Sequence, residues 1–452
     1  MTDTHRELLA FVIGHRIRSL RQRRRLSQAD LAHGISSQSL ISLCESGRQL
    51  PLPDMLQLIA ERLEDKTLAE YASALATGDL SFSRTITGNR ELLLEALTSL
   101  RGHWQNVHEQ VATELCQHYY TTKDFDIVHQ IGRMILDHAQ DPRTQAAACF
   151  YSGSSFLFTH DYEEAERWLV MAEQHLADAD SPLRPKLLYN LGYTYTQLDN
   201  PVMALWYAHQ AAECFQAQQD LPSYAKAVGL LGVIQVRAKR PEDGVKSLRL
   251  AYDVLIRWES ERADRARIAC SLAAACLEQG QLEEAKTWAE EALAGAEAAD
   301  DDLCACLTLR NLALWCHRQG DFAQGLRFLH RALAIARAHR LHKTTAELLL
   351  LRAETECDGA KKLADARQAF EAALNAHDHV LIALSAEAVA NLLEGTGGSP
   401  ATDAAYEVQQ YRKLALAHYR AYVRAVSYDY PGIDRVAPAQ PNSPSPFDRS
   451  GQ

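Results

Sequence analysis

Apolar positions along this chain recur every three to four residues, which is the period of an α-helix with one buried face. Residues 5–24 illustrate the pattern with Leu9, Ile13, Ile17 and Leu20. Alanine, leucine, arginine and glutamate are abundant, whereas β-branched residues are sparse. Because the abundant residues favour helices, we expect an all-α protein.

Two short helices separated by a tight turn are predicted over residues 27–47. The side chain of Ser27 can cap the first helix together with Asp30, three residues later. Gly34 interrupts the pattern, and a second helix follows at once from a serine N-cap and ends at Gly47. Two short helices around a glycine-containing turn are typical of a helix-turn-helix.

A set of short motifs lies in and around this region: Ile13-Gly14-His15-Arg16-Ile17-Arg18, Leu20-Arg21, Leu26-Ser27-Gln28, Leu31-Ala32, Ile41-Ser42, Glu45 and Gly47. Together they resemble the Xre/Cro-type helix-turn-helix over residues 10–65. The turn between Leu31 and Glu45 is one residue shorter than in typical phage repressors, which is similar to PlcR-like members of the RNPP family. Members of that family are cytoplasmic receptors of Gram-positive bacteria that bind secreted signalling peptides. The resemblance implies a structural ion pair between Arg21 and Glu45, and a contact between Gln28 and a DNA phosphate.

The start of the second helix is the candidate DNA-reading surface. In a helix-turn-helix these residues meet base edges in the major groove, and the amide of Gln38 can pair with adenine. The arginines at 23–25 offer clustered cations for phosphates, although a solvated basic face also explains them. Leu40 and Leu43 can touch a thymine methyl or simply pack, which leaves the base preference open. The candidate DNA-binding residues are Arg23, Arg24, Arg25, Gln28, Ser37, Gln38, Ser39 and Ser42.

The rest of the chain repeats with a period of about 40 residues. A helix with a small residue, as in Leu191-Gly192, precedes each repeat anchor, and small residues allow two helices of a hairpin to approach closely. The pattern resembles tetratricopeptide repeats and predicts an α-solenoid over about residues 90–393. The anchors are Val128, Ala165, Ala204, Gly244, Ala285, Gly325 and Ala366.

Four segments follow from these patterns. Residues 1–77 are predicted to form the helix-turn-helix DNA-binding domain, and residues 78–89, which lack helical periodicity, a linker. Residues 90–430 are predicted to form the tetratricopeptide-like sensor domain, closed by a helix over 403–426. Residues 431–452 are rich in proline and serine, so we expect a disordered tail.

The charge of the chain and the length of its apolar runs limit the classes of protein to which it can belong. The net charge is −11, yet residues 1–66 hold 10 basic and 8 acidic residues, which suits a DNA reader on an acidic body but also fits ordinary variation. The apolar run from Leu8 to Ile13 is too short for a signal peptide, and no apolar run is long enough to span a membrane. We therefore expect a cytoplasmic protein with no membrane partner.

No metal or catalytic motif emerges from the residue spacing. The ten cysteines lack paired zinc-type spacing, and we interpret them as reduced core residues, with a thiol sensor as the alternative. The histidines show no metal-binding spacing, and there is no glycine-rich phosphate loop or nucleophile elbow. We therefore predict no cofactor and no enzymatic activity.

Two asparagines occupy equivalent repeat positions that face the groove in tetratricopeptide domains. Asparagine carries a donor and an acceptor, so it can clamp a peptide bond, and receptors of the resembled family use groove asparagines this way. Exposed polar residues are common on helices, so an ordinary surface is the alternative. The candidate peptide-binding residues are Asn190, Tyr193, Gln197, Arg237, Arg310, Asn311 and Arg318.

The hypothesis from sequence is a DNA-binding transcriptional regulator of the quorum-sensing type. It binds double-stranded DNA as a homodimer, and its repeats bind a short signalling peptide that changes the spacing of the two DNA-reading heads. Two alternatives remain open. The repeats can instead dock a partner protein, or the chain is a peptide-controlled protein inhibitor that does not bind DNA.

Overall fold

Every element in the described part of the chain is an α-helix, so the predicted fold class is confirmed. The structure is a computed structural model that describes residues 3–77, 89–100, 104–176, 181–258, 262–395 and 403–426. Within those ranges, no helix combines the length and the apolar character needed to cross a membrane. The chain divides into two compact units, Met1–Ser260 and Glu261–Gln452.

The first five helices correspond to the helix-turn-helix region. Helix α2 begins after the predicted capping box of Ser27 and Asp30, and α3 begins after Ser37, which is its N-cap. Proline at position 53 opens α4, where a missing N–H is harmless. The helices are α1 (Asp3–Arg23), α2 (Gln28–Ala32), α3 (Gln38–Glu45), α4 (Pro53–Arg62) and α5 (Lys66–Thr77).

Nine further helices lie in the described part of the first unit. After α6, successive helices pair as hairpins, and the first helix of one hairpin also packs against the first helix of the next. These helices are α6 (Arg90–Ser99), α7 (Asn106–Thr121), α8 (Phe125–His138), α9 (Pro142–Phe158), α10 (Tyr162–His175), α11 (Arg184–Gln197), α12 (Pro201–Ala217), α13 (Leu221–Arg237) and α14 (Pro241–Arg257).

The second unit continues the hairpin pattern and ends with the helix predicted over 403–426. Its helices are α15 (Arg262–Glu278), α16 (Leu282–Ala298), α17 (Asp302–Gln319), α18 (Phe322–Ala338), α19 (His342–Thr355), α20 (Gly359–Asn375), α21 (His379–Gly395) and α22 (Asp403–Val426).

Small residues bring the helices of a hairpin together, as predicted. A Cβ added to Gly232 of α13 would lie 2.9 Å from the carbonyl oxygen of Gly244 in α14, and the reverse distance is 2.8 Å. Both are shorter than real Cβ contacts, so neither position accepts a larger residue without a shift of backbone. All seven repeat anchors are buried.

The core of the first unit runs without a break from the helix-turn-helix into the first repeats. Buried residues of α1 to α5 and of α6 to α9 belong to one cluster. Of the predicted linker, only Asn89 lies within the described residues, and the predicted tail lies outside them. The proposed boundaries of the DNA-binding and sensor domains therefore stay predictions.

Candidate functional site

Helix α3 exposes the side that was predicted to read DNA. Ile41 and Cys44 are fully buried, whereas Gln38, Ser39 and Ser42 are exposed. These three polar side chains are free to reach the floor of a groove, because the apolar side of the helix already fills the domain core.

The predicted N-cap holds the beginning of α3. The Oγ of Ser37 accepts a hydrogen bond of 3.2 Å from the backbone N–H of Leu40. Ser37 is itself exposed, and Leu43, at 39 % exposure, adds an apolar group to the same helix. An exposed leucine beside polar side chains is suited to contact with a thymine methyl.

A buried ion pair fixes the other end of α3 to α1. The guanidinium of Arg21 donates from Nη2 to Glu45 Oε2 over 2.9 Å and from Nε to Oε1 over 2.5 Å. Glu45 is only 6 % exposed. The hydrogen bond to this carboxylate raises the pKa of Arg21. The pair implied by the resemblance is therefore confirmed, and its role in the free protein is structural.

The same carboxylate engages Gln28. The Nε2 of Gln28 donates to Glu45 Oε2 over 2.8 Å, which ties the first residue of α2 to the last residue of α3. A contact between Gln28 and a DNA phosphate stays a prediction.

Arg62 is a positioning residue that the sequence did not single out. Its Nη1 donates to the carbonyl of Leu31 over 3.0 Å and to that of His33, so it caps the C-terminal end of α2. Cations are favourable at a helix C-terminus because the last carbonyls lack partners. Since 31 residues separate Arg62 from Leu31, no local pattern could have revealed the contact.

The arginines at the end of α1 are exposed, as phosphate contacts require. Arg24 forms a 3.0 Å ion pair with Glu64, and both side chains remain accessible. Exposed pairs of this kind contribute little to stability, so a phosphate can displace Glu64. Arg25 has a φ of 55°, which turns the chain sharply between α1 and α2.

In the first unit, two of the predicted groove residues contact the preceding hairpin. Asn190 of α11 donates from Nδ2 to the Oγ of Ser154 in α9 over 2.8 Å. Arg237 of α13 donates to the carbonyl of Thr196 in α11 over 2.7 Å. Each side chain thus links the first helices of two neighbouring hairpins.

The remaining two candidates of this unit lie on α11. The ring of Tyr193 packs edge-on against Tyr162, with centroids 6.4 Å apart, and Gln197 is half-buried at the end of the helix.

The second unit repeats this arrangement. Asn311 of α17 is 2 % exposed and donates from Nδ2 to the carbonyl of Cys270 in α15 over 3.0 Å. Arg318 of α17 donates to the carbonyl of Leu277, also in α15. Arg310 forms an ion pair with Glu347 in the following hairpin. Links between hairpins are a structural role that the sequence did not predict for these residues; their contact with a peptide stays a prediction.

Several buried cysteines lie in surroundings that disfavour the reactive thiolate. Eight of the ten are buried, and burial raises the pKa of Cys116, Cys149 and Cys306 to about 12. A high pKa suppresses the reactive thiolate. In the described ranges, no group of three or more histidine, cysteine or acidic side chains is arranged to hold a metal ion.

Comparison with known proteins agrees with this geometry. A family model described as helix-turn-helix matches residues 17–71. A search of curated proteins finds no match.

Several solved structures share the fold. NprR in complex with its cognate peptide NprX is 14 % identical, with a TM-score of 0.56, over 80 % of this chain and 98 % of that one. The apo form of the quorum sensor NprR from B. thuringiensis is 14 % identical, with a TM-score of 0.53, over 81 % and 99 %. A Rap protein complexed with Competence and Sporulation Factor is also 14 % identical, with a TM-score of 0.53, over 75 % and 92 %.

At such low identity these structures establish a shared fold and nothing finer. The helix-turn-helix expected from the sequence is confirmed over residues 17–71, and so is the helical-repeat fold. This chain carries an Xre-type helix-turn-helix domain joined to helical repeats with the fold of the quorum sensor NprR.

Proposed function

We propose that this chain is a cytoplasmic DNA-binding transcriptional regulator whose repeats bind a short signalling peptide. The observation that carries the proposal is α3, whose exposed start presents Gln38, Ser39 and Ser42 while Arg21 and Gln28 hold its far end through Glu45. A helix fixed at one end and exposed at the other is ready to enter the major groove without reorganising.

The peptide-binding half of the proposal is supported by an unsatisfied acceptor. The Oδ1 of Asn311 is buried and has no hydrogen-bond partner among the described residues. A buried acceptor without a donor is unfavourable, and a backbone N–H of an extended peptide can supply one once the neighbouring side chains move aside to expose it. NprR, which shares the fold, was solved with a peptide bound.

We also propose that the regulator acts as a homodimer. Helix α3 has only eight residues, so one copy reaches few base pairs, and helix-turn-helix proteins of this kind bind paired half-sites. Sedimentation of the free and DNA-bound chain tests this; a single copy in both states would contradict it.

The DNA assignment is tested by fluorescence anisotropy on duplex from upstream of the protein's own gene. We expect Gln38→Ala to weaken sequence-specific binding by about 1–3 kcal/mol, as for loss of one bidentate base contact. The matched control is Gln57→Ala, because Gln57 is also exposed on a helix of this domain and its amide donates to Glu61 within the same domain. Equal binding by both variants, or sequence-blind binding by the unmodified chain, would reject DNA reading by α3.

The same titration with the small-peptide fraction of spent culture medium tests the sensor. A shift in duplex affinity that Asn311→Ala reduces would support peptide binding. Specific duplex binding that ignores the peptide fraction would instead favour a partner protein as the ligand of the repeats. Peptide binding without duplex binding would favour a protein inhibitor.

A further inference from the structure

A seven-residue stretch of α1, Leu8 to Gly14, is buried on every side. All residues from Leu8 to Gly14 are buried, and the apolar ones are between 0 and 7 % exposed. An amphipathic surface helix would expose half of these positions. A stretch with no solvent face must pack against two different groups of elements at once.

One of these groups is the DNA-reading helix. A Cβ added to Gly14 would overlap the carbonyl oxygen of Cys44, near the end of α3, and a Cβ on Gly47 would lie 3.2 Å from the Cα of Phe11. Backbone therefore touches backbone where α1 passes the end of α3. No flexible side chain lies between them to absorb a movement.

The other group is the beginning of the repeats. Helix α1 packs against both α6 and α7. The ring of Phe11 meets the ring of His108 in α7 edge-on, with centroids 4.7 Å apart. A second contact connects the helix-turn-helix region to the beginning of the repeats. Asn89, the N-cap of α6, donates from Nδ2 to the hydroxyl of Tyr71 in α5.

We propose that α1 locks the helix-turn-helix and the first repeat hairpin into one rigid body, with Phe11 as the residue that joins them. Its backbone supports Gly47 after α3, while its ring packs on α7. A movement of α7 and α8 is then transmitted directly to α3, and the DNA-reading helix does not swing on a tether. The regulatory meaning of this device rests on the proposed function.

Hydrogen exchange on the full-length chain, measured without DNA or peptide, tests whether the helix-turn-helix and the first repeat hairpin form one rigid body. Amides of α3 and α7 should open together, since a rigid body has one opening equilibrium. We expect His108→Ala to accelerate exchange in α7 and in α3 by a similar factor, on the order of tenfold, although His108 does not belong to the helix-turn-helix domain. Phe11→Leu should do the same and serves as a second variant if His108→Ala fails to fold.

The matched control is Phe215→Leu, a substitution of a similarly buried phenylalanine in α12. It should accelerate exchange near α12 and leave α3 unchanged. Faster exchange in α7 with no change in α3, in either variant at α1 or α7, would overturn the rigid-body proposal. Loss of duplex binding in the anisotropy experiment would reject the proposed function and leave the exchange result standing, so the two failures are distinguishable.

Discussion

At the scale of single residues, His108 illustrates how burial sets chemistry. Its Nδ1 accepts a hydrogen bond of 3.0 Å from the backbone N–H of Gln105, which requires the neutral ring. Burial lowers the pKa of His108 to about 4. The side chain is therefore a neutral packing group at the start of α7.

This shift predicts a pH dependence of stability. Between pH 6.5 and 4 the unfolded chain protonates His108 and the folded chain does not, so the free energy of unfolding falls as the pH drops through that window. The loss attributable to His108 is at most about 2 kcal/mol at pH 5. Urea denaturation between pH 4 and 7 measures it. His108→Gln should flatten the dependence, and an unchanged slope would contradict the prediction.

At the scale of elements, α2 and α3 depend on polar contacts with other helices, because they are too short to be stable by themselves. Both are short, so they gain little from helix propagation. Glu45 collects hydrogen bonds from α1 and α2, and Arg62 caps α2 from α4. These long-range contacts fix the angle between the two motif helices.

Breaking the buried pair should therefore be costly. Glu45→Gln leaves Arg21 with an unpaired charge that is mostly buried, and we expect a loss of about 3 kcal/mol in the free energy of unfolding. The comparison is Arg24→Ala, which breaks an exposed pair with Glu64 and should lose less than about 1 kcal/mol. Urea denaturation distinguishes them. Similar losses would mean that the Arg21–Glu45 pair contributes no more to stability than an exposed ion pair does.

The turns of two hairpins each contain a residue with a positive φ, but the residue is glycine in one turn and lysine in the other. Gly280 follows α15 with a φ of 75°, and Lys239 follows α13 with a φ of 60°. Left-handed backbone is unfavourable for residues with a Cβ. We expect Gly280→Ala to destabilise the chain by about 1 kcal/mol, and Lys239→Gly to stabilise it by up to about 1 kcal/mol. Thermal unfolding of both variants measures this, and effects of the same sign would refute the backbone explanation.

At the scale of the whole molecule, charge opposes DNA binding except near the motif. The chain carries a net charge of −11, so under the proposed function the arginines at the end of α1 attract phosphates against a repulsive background. Binding that relies on such contacts weakens steeply with salt, because each neutralised phosphate releases counterions.

The salt dependence of binding tests that contribution. We expect Arg25→Ala to reduce the slope of log affinity against log salt by about 1, uniformly across duplex sequences. Arg133→Ala is the control, since Arg133 is exposed on α8 and outside the helix-turn-helix domain. Anisotropy titrations at four salt concentrations suffice. An unchanged slope for Arg25→Ala would remove this residue from the proposed DNA contacts.

The sequence by itself determined the local structure of this protein. Helical periodicity and the capping box at Ser27 depend on residues a few positions apart, and the repeat anchors recur at a regular spacing of about 40 residues. All three patterns can be recognised along the sequence without knowledge of the fold. The resemblance to the helix-turn-helix family added one long-range contact, the pair of Arg21 and Glu45, which the structure contains.

Only the tertiary structure decided what each polar side chain touches. Asn190 and Arg237 were singled out as groove residues because of their repeat position, yet each reaches the preceding hairpin. Phe11 looked like one more apolar residue of α1, and its contacts with Gly47 and His108 depend on three segments meeting. Such contacts follow from how helices pack in space, and a periodic pattern along one chain does not encode that packing.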